Sequence, residues 1–248
     1  MIFNNISDLW NKYQSNPVIE NIHESDTMWT GGPDWYWSVG ESAVSAILRN
    51  LPSANINSIN SVLDFGCGWG RVARQLKRAF PASDLLFCEL NQPAAQFCAD
   101  TFSGRVVQGD NLPKNVDLIW VGSVFTHISY EKMKPLLATL TAALSPNGIL
   151  VATFHGRRAI EMAKRRPYIA AKKWEQIFSD YNQHGAGYAS YDLESLGDYG
   201  VSLTSPSKVF QLSAEDLDVK LVGYQEAGWA NHQDVAAWSK SSVAFPVG

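Results

Sequence analysis

The stretch Val62-Leu63-Asp64-Phe65-Gly66-Cys67-Gly68-Trp69-Gly70-Arg71 leaves this chain few folds to choose from. An apolar, β-prone run carries an acid and passes directly into three glycines at every second position. Behind them, residues 72–80 carry apolar side chains at helical spacing. The pattern predicts strand, tight turn, helix. Glycine permits positive φ and close approach of backbone to a ligand. The helix start behind the turn offers unpaired N–H groups to an anionic group. A dinucleotide-binding turn spaces its glycines G-x-G-x-x-G around a pyrophosphate. Here Gly70 comes one residue early and Asp64 stands two residues before Gly66. The spacing therefore argues against a nicotinamide-dependent oxidoreductase.

The same alternation continues down the chain. Residues 84–91 read as a second strand ending in Glu89, 23 residues after Gly66. A carboxylate at such a strand tip accepts hydrogen bonds from both ribose hydroxyls; the plainer reading is a solvated acid. Residues 92–103 read as a helix with Pro93 in its first turn. Residues 105–108 read as a short strand, followed by the turn Gly109-Asp110-Asn111-Leu112-Pro113. A fourth strand begins near Asp117 and leaves through Ser123 to His127. An amphipathic helix over 130–144, a Ser145-Pro146-Asn147-Gly148 turn and a fifth strand over 149–155 follow. Strands alternating with helices predict an α/β sheet.

Composition bounds what such a sheet serves. The chain has 248 residues, enough for one full α/β domain, and a formal net charge of −4, which opposes general nucleic-acid binding. No apolar run approaches the ~20 residues of a membrane span. Residues 1–5 lack a basic stretch followed by an apolar run, so no secretory leader and a cytoplasmic location are expected. Cys67, Cys88 and Cys98 have no metal-ligand spacing and are expected as reduced thiols in or near the core.

The Asp64 to Gly70 run, Glu89, the Gly109-Asp110 loop and the Ser123 to His127 exit, in this order, resemble the S-adenosylmethionine-dependent methyltransferases with a Rossmann-like fold. The likeness is strong over residues 35–155 and weaker over 207–240. It implies a seven-stranded, mostly parallel α/β sheet with helices on both faces, closed by an antiparallel hairpin of strands near 217–224 and 234–239. It implies one domain over 1–248, with N-terminal lid helices in 1–52; the likeness breaks off near Gly156, and residues 157–206 after strand five, with a segment rich in Gly, Tyr, Asp and Ser, read as an insertion that sets specificity. The resemblance implies S-adenosyl-L-methionine as cofactor. The binding residues carried over are Asp64, Gly66, Cys67, Gly68 and Gly70 of the turn, Glu89 and Leu90 after the second strand, and Ser123 after the fourth. Asp110 or Asn111 would reach the adenine amino group, though Asn111 also suits a cap or a turn. Tyr36 is a lid residue over the cofactor, with Trp29, Trp35 and Trp37 beside it; the plainer reading packs these aromatics onto the sheet. No metal is implied.

Three histidines are candidates for catalysis. His127 leaves the fourth strand, at the switch point of the sheet, where it is placed to deprotonate an acceptor or to orient the loop. His155 ends the fifth strand, and His232 lies between the last two strands. The run 157–173 holds seven basic residues and one acid, Glu161. It reads as a solvated helical face or as a cradle for an anionic group on the acceptor. With nine tryptophans and nine tyrosines, the chain is rich in aromatics. Trp29, Trp35, Tyr36, Trp37, Tyr188, Tyr191 and Tyr199 are expected to gather above the strand ends. Aromatic faces mixed with Asp and Ser suit a small-molecule or glycan acceptor, methylated on oxygen. The alternatives are N-methylation of a small metabolite and a catalytically silent cofactor-binding subunit.

Overall fold

The structure, a computed structural model, describes residues 6–54, 56, 58–193, 197–212 and 217–240. Short apolar runs form its main sheet: β1 (Ser61–Phe65), β2 (Asp84–Cys88), β3 (Arg105–Val106), β4 (Val116–Val121), β5 (Leu144–Phe154), β8 (Lys220–Trp229) and β9 (Gln233–Ser239). Their order is β3-β2-β1-β4-β5-β9-β8. The first five are parallel; β9 is antiparallel to both β5 and β8. The expected seven-stranded, mostly parallel sheet is thus the observed one. The direction of winding reverses between β1 and β4, which opens a crevice at their C-terminal ends.

Helices cover both faces because alternate strand residues point to opposite sides. Val62, Trp120, Val151 and Ala237 face one core with α1 (Ile6–Ser15), α2 (Pro33–Asn50), α3 (Ala73–Ala79) and α4 (Gln92–Phe102). Leu63, Ile119, Leu150 and Trp238 face the other with α5 (Tyr130–Ala143) and α8 (Pro206–Gln211). Helices α1 and α2, expected as a lid, are therefore core helices through Leu9, Tyr13, Val44 and Ile47. No helix among the described residues is long and apolar enough to cross a membrane.

Four expectations change in detail. The Ser145 to Gly148 turn lies inside β5: Val116 pairs with Leu144 and Leu118 with Ile149, so the four residues bulge out of one continuous strand. The strand expected over 217–224 starts at Lys220 and runs on to Trp229, drawn out by its pairing with β9. The basic run splits around Pro167 into α6 (Arg157–Ala163) and α7 (Ala171–His184). Beyond it the expected substrate loop is a hairpin, β6 (Ala186–Ser190) with β7 (Gly200–Thr204). This insertion has a small core of its own: Ala159, Ile177, Val201 and Leu203, with Tyr168, Trp174 and Tyr191 packed against it.

Candidate active site

The glycine turn is tied to the neighbouring strand. The N–H groups of Gly66 and Cys67 donate to the Cys88 carbonyl at 2.8 and 3.3 Å, at the end of β2. A Cβ on Gly66 would stand 2.6 Å from Val124 Cγ2, and one on Gly70 would stand 2.6 Å from the Phe102 ring. At both positions packing excludes a side chain. Gly68 differs: at φ +51 its open side meets nothing within 4 Å and faces a cavity. Its N–H donates to Glu89 Oε2 at 2.9 Å, and the Asn91 N–H donates to Glu89 Oε1 at 3.2 Å. The carboxylate at the tip of β2 is thereby fixed beside the turn.

Asp64, two residues before the turn, is 2 % exposed, and its Oδ2 has no hydrogen-bond partner among the described residues. Burial, and secondarily the charge of Glu89, push its carboxyl up to about 8. A desolvated carboxyl with an empty acceptor suits a cationic ligand group.

Across the crevice the chain leaves β4 through Gly122 and Ser123. Ser123 is held at φ +59 by its neighbours. Its N–H donates to Thr153 Oγ1 at 2.8 Å, and its Oγ accepts from Gln233 Nε2 at 2.6 Å. His127 follows. Its Nδ1 lies 2.7 Å from the Gly200 carbonyl. A carbonyl only accepts, so Nδ1 carries the proton and Nε2 the lone pair. Burial lowers the His127 pKa, opposed by that hydrogen bond, so the ring is neutral at pH 7. It stacks on Tyr199 with centroids 4.6 Å apart. Two backbone bonds, Gly200 N–H to the His127 carbonyl and Ser202 N–H to the Thr126 carbonyl, each 2.9 Å, lay β7 along this exit.

These groups meet in one cavity of about 570 Å³. Of the residues expected from sequence, Asp64, Gly66, Cys67, Gly68, Glu89, Leu90, Ser123, His127 and Tyr199 line it. Asp26, Met28, Trp69, Arg71, Gln108, Trp120 and Trp229 join them from outside the expected set. The N-terminal segment and the insertion thus reach the same space, the first through Asp26 and Met28 and the second through Tyr199.

Several expected residues lie elsewhere. Tyr36 is fully buried behind Asp26. Its hydroxyl donates to Asp26 Oδ2 at 2.6 Å and accepts from Arg74 at 3.3 Å. Arg74 in turn donates to the carbonyls of Gly70, Ile19 and Asn21. Tyr36 therefore ties the N-terminal segment to the glycine turn instead of covering a ligand. Trp29 and Trp37 pack edge-on against it, and Trp35 is exposed. Asp110 and Asn111 are exposed and off the lining, in a tight turn closed by the Gln108–Asn111 bridge; Gln108 and Gly109 face the cavity in their place. Gly70 is turned into the α4 packing.

His155 and His232 also lie off the lining. Their rings continue a row from His127, with centroids 6.4 Å apart from His127 to His155 and 5.3 Å from His155 to His232. Burial, then the neighbouring His232 and His127, hold His155 at about 3. His232 Nε2 pairs with the Tyr168 hydroxyl. The row forms a wall behind His127, and of the three histidines His127 alone faces the cavity. The basic run is likewise away from it: Arg157 pairs with Glu226, Lys164 with Glu161 and Lys173 with Asp192.

A glycine turn with an acid before it, an acid at the next strand tip and a crevice at the switch point of this sheet are the arrangement that the resemblance to the S-adenosylmethionine-dependent methyltransferases leads one to expect. Within the chain, residues 63–150 match the family model described as a methyltransferase domain. A search of the curated proteins finds no match. Among solved structures, the chain resembles the magnesium protoporphyrin IX methyltransferase ChlM from Synechocystis PCC 6803 with bound SAH. The TM-score is 0.54 at 11 % identity, covering 95 % of this chain and 94 % of that one. The CcbJ methyltransferase from Streptomyces caelestis matches with TM-score 0.52 at 13 % identity, over 84 % of this chain and 96 % of that one. An O-methyltransferase family protein from Burkholderia thailandensis matches with TM-score 0.50 at 11 % identity, over 83 % and 59 %. At these identities the likeness is one of fold.

Proposed function

We propose that this protein methylates a hydroxyl of a small, ring-bearing acceptor, such as a free or linked sugar, with His127 as the base. The observation that carries the reading is the neutral His127: its Nδ1–H is committed to the Gly200 carbonyl, and the ring faces the same cavity as the glycine turn. The residues present fit S-adenosylmethionine. Asp64 Oδ2 is an orphaned buried acceptor for its cationic amino end. Glu89 is a fixed carboxylate for the ribose hydroxyls. The open side of Gly68 admits close approach of the backbone. Leu90, 90 % exposed and on the lining, presents an apolar surface for the base, next to Gln108 and Gly109. When bound, the cofactor supplies an electrophilic methyl group on a sulfonium.

The chain's own groups do the rest. Much of the rate comes from holding the acceptor oxygen at about 3 Å from the methyl carbon. His127 Nε2 takes the acceptor's proton, and the Nδ1–H bond to Gly200 stabilises the imidazolium so formed. Tyr199 and Met28 both stand on the cavity lining. Trp229, Trp120 and Tyr199 bring aromatic side chains to the lining and Asp26 and Gln108 bring polar ones, a mixture that suits a polar ring compound. The negative net charge and a cavity of small-molecule size oppose a nucleic-acid substrate. A screen with labelled methyl donor against free glycans, nucleotide sugars, small amines, tRNA and protein extract tests the reading. Label in a glycan or sugar hydroxyl is expected; label appearing only in amines, RNA or protein overturns it.

A further inference from the structure

Arg71 is a cation on the cavity wall whose donors no acceptor among the described residues takes up. It follows the third glycine directly and lines the cavity, half-buried. Its guanidinium lies over the Trp229 ring, 5.9 Å from the centroid. Trp229 is in turn locked by its indole N–H donating to the Val39 carbonyl at 2.9 Å. Among the described residues Arg71 makes no side-chain hydrogen bond and no ion pair. Arg74 and Arg78, the other arginines withdrawn from solvent in this segment, fill their donors instead: Arg74 on the carbonyls of Gly70, Ile19 and Asn21, Arg78 on those of Asn16 and Gln14. Burial lowers the Arg71 pKa, opposed by Tyr36 and Asp26, but a guanidinium stays charged at any ordinary pH. A charged fork with five donors, partly desolvated and without acceptors, is costly until a ligand supplies them.

The opposite end of the turn repeats the situation with the other sign. Asp64 stands before Gly66 with an unpartnered oxygen, Arg71 stands after Gly70 with unpartnered donors, and both line one cavity. Resting on the methyl-transfer reading above, we propose that Arg71 is a carboxylate anchor whose guanidinium grips a ligand carboxylate in a two-pronged hydrogen bond. Two ligands can bring that carboxylate: the amino-acid end of the cofactor, or an acid group on the acceptor.

Calorimetry on the full chain separates the cases, with wild type, Arg71→Met and Arg71→Lys. The probes are S-adenosylhomocysteine, which carries the carboxylate, 5′-methylthioadenosine, which lacks the amino-acid end, and benzoate titrated into protein saturated with S-adenosylhomocysteine. If the anchor serves the cofactor, Arg71→Met weakens S-adenosylhomocysteine by about 10- to 100-fold, leaves 5′-methylthioadenosine unchanged, and Arg71→Lys recovers only part. If it serves the acceptor, both nucleosides bind as in wild type, and benzoate binds wild type but not Arg71→Met. Equal weakening of both nucleosides means a local packing role and overturns the anchor. So does an Arg71→Met variant that binds all three probes like wild type. A wild-type protein that binds neither nucleoside overturns the cofactor reading itself.

Discussion

The two sides of the cavity are built on different principles. The cofactor side, residues 61–91, makes its defining hydrogen bonds at short range. Its turn bonds to the next strand, and Glu89 reaches back only to Gly68, 21 residues away. The acceptor side is assembled from afar. His127 is oriented by Gly200, 73 residues on, and Trp229 by Val39, 190 residues back. The insertion behind His127 rests on a core of four buried residues, whereas the sheet faces rest on two large clusters. A site whose halves have such different supports can hold its cofactor firmly while its acceptor side is changed piece by piece.

The sharpest way to break that comparison is at His127. His127→Ala should lower kcat by about 10²- to 10⁴-fold while leaving S-adenosylhomocysteine affinity unchanged in calorimetry. In wild type, the lowered His127 pKa moves the acid limb of the kcat profile below the ordinary imidazole value of 6.5, because only the neutral ring accepts a proton. An unchanged kcat on the true acceptor would leave proximity as the main source of rate.

Next in size is the converse change. Glu89→Ala removes a charged acceptor from the cofactor side and should cost roughly 1.5–3 kcal/mol of S-adenosylhomocysteine binding. Unaltered affinity in a folded variant would take Glu89 out of the site.

Gly200→Val probes the long-range clamp. A Cβ there would stand 2.1 Å from the Ala189 carbonyl oxygen, so the β6–β7 hairpin must shift and His127 with it. We expect kcat to fall by up to about 10²-fold through mispositioning, with cofactor affinity retained. Equal loss of both would show that the two sides are coupled after all.

The smallest effect is one of stability. Asp64 has a folded-state pKa raised to about 8, so wild type loses stability as pH rises from about 4, where the unfolded chain ionises, to about 8, and no more above it. The melting temperature of Asp64→Asn relative to wild type should therefore climb across that window and level off beyond it. A constant difference from pH 4 to 9 would mean that Asp64 ionises freely in the folded protein.

The amino-acid sequence determined the cofactor side almost by itself. The glycine spacing, the acid two residues ahead and the acid at the next strand tip are marks of local geometry. Each depends on φ/ψ preference and strand periodicity over a short window. The alternating apolar strands likewise fixed a parallel sheet with two buried faces. Local pattern also misled where a polar partner was distant. Tyr36 reads as an aromatic free to cover a ligand, but Asp26 and the buried Arg74 claim its hydroxyl. His155 and His232 read like His127 in sequence, yet they pack behind it because β7, α6 and the β8–β9 turn converge there. Arg71, written plainly after Gly70, gave no sign of the role proposed for it, since the observation that matters is that no acceptor among the described residues folds back to meet it. Short-range preferences are encoded residue by residue; which side chains lose water, and which find a partner when they do, is decided only when segments tens to hundreds of residues apart pack together.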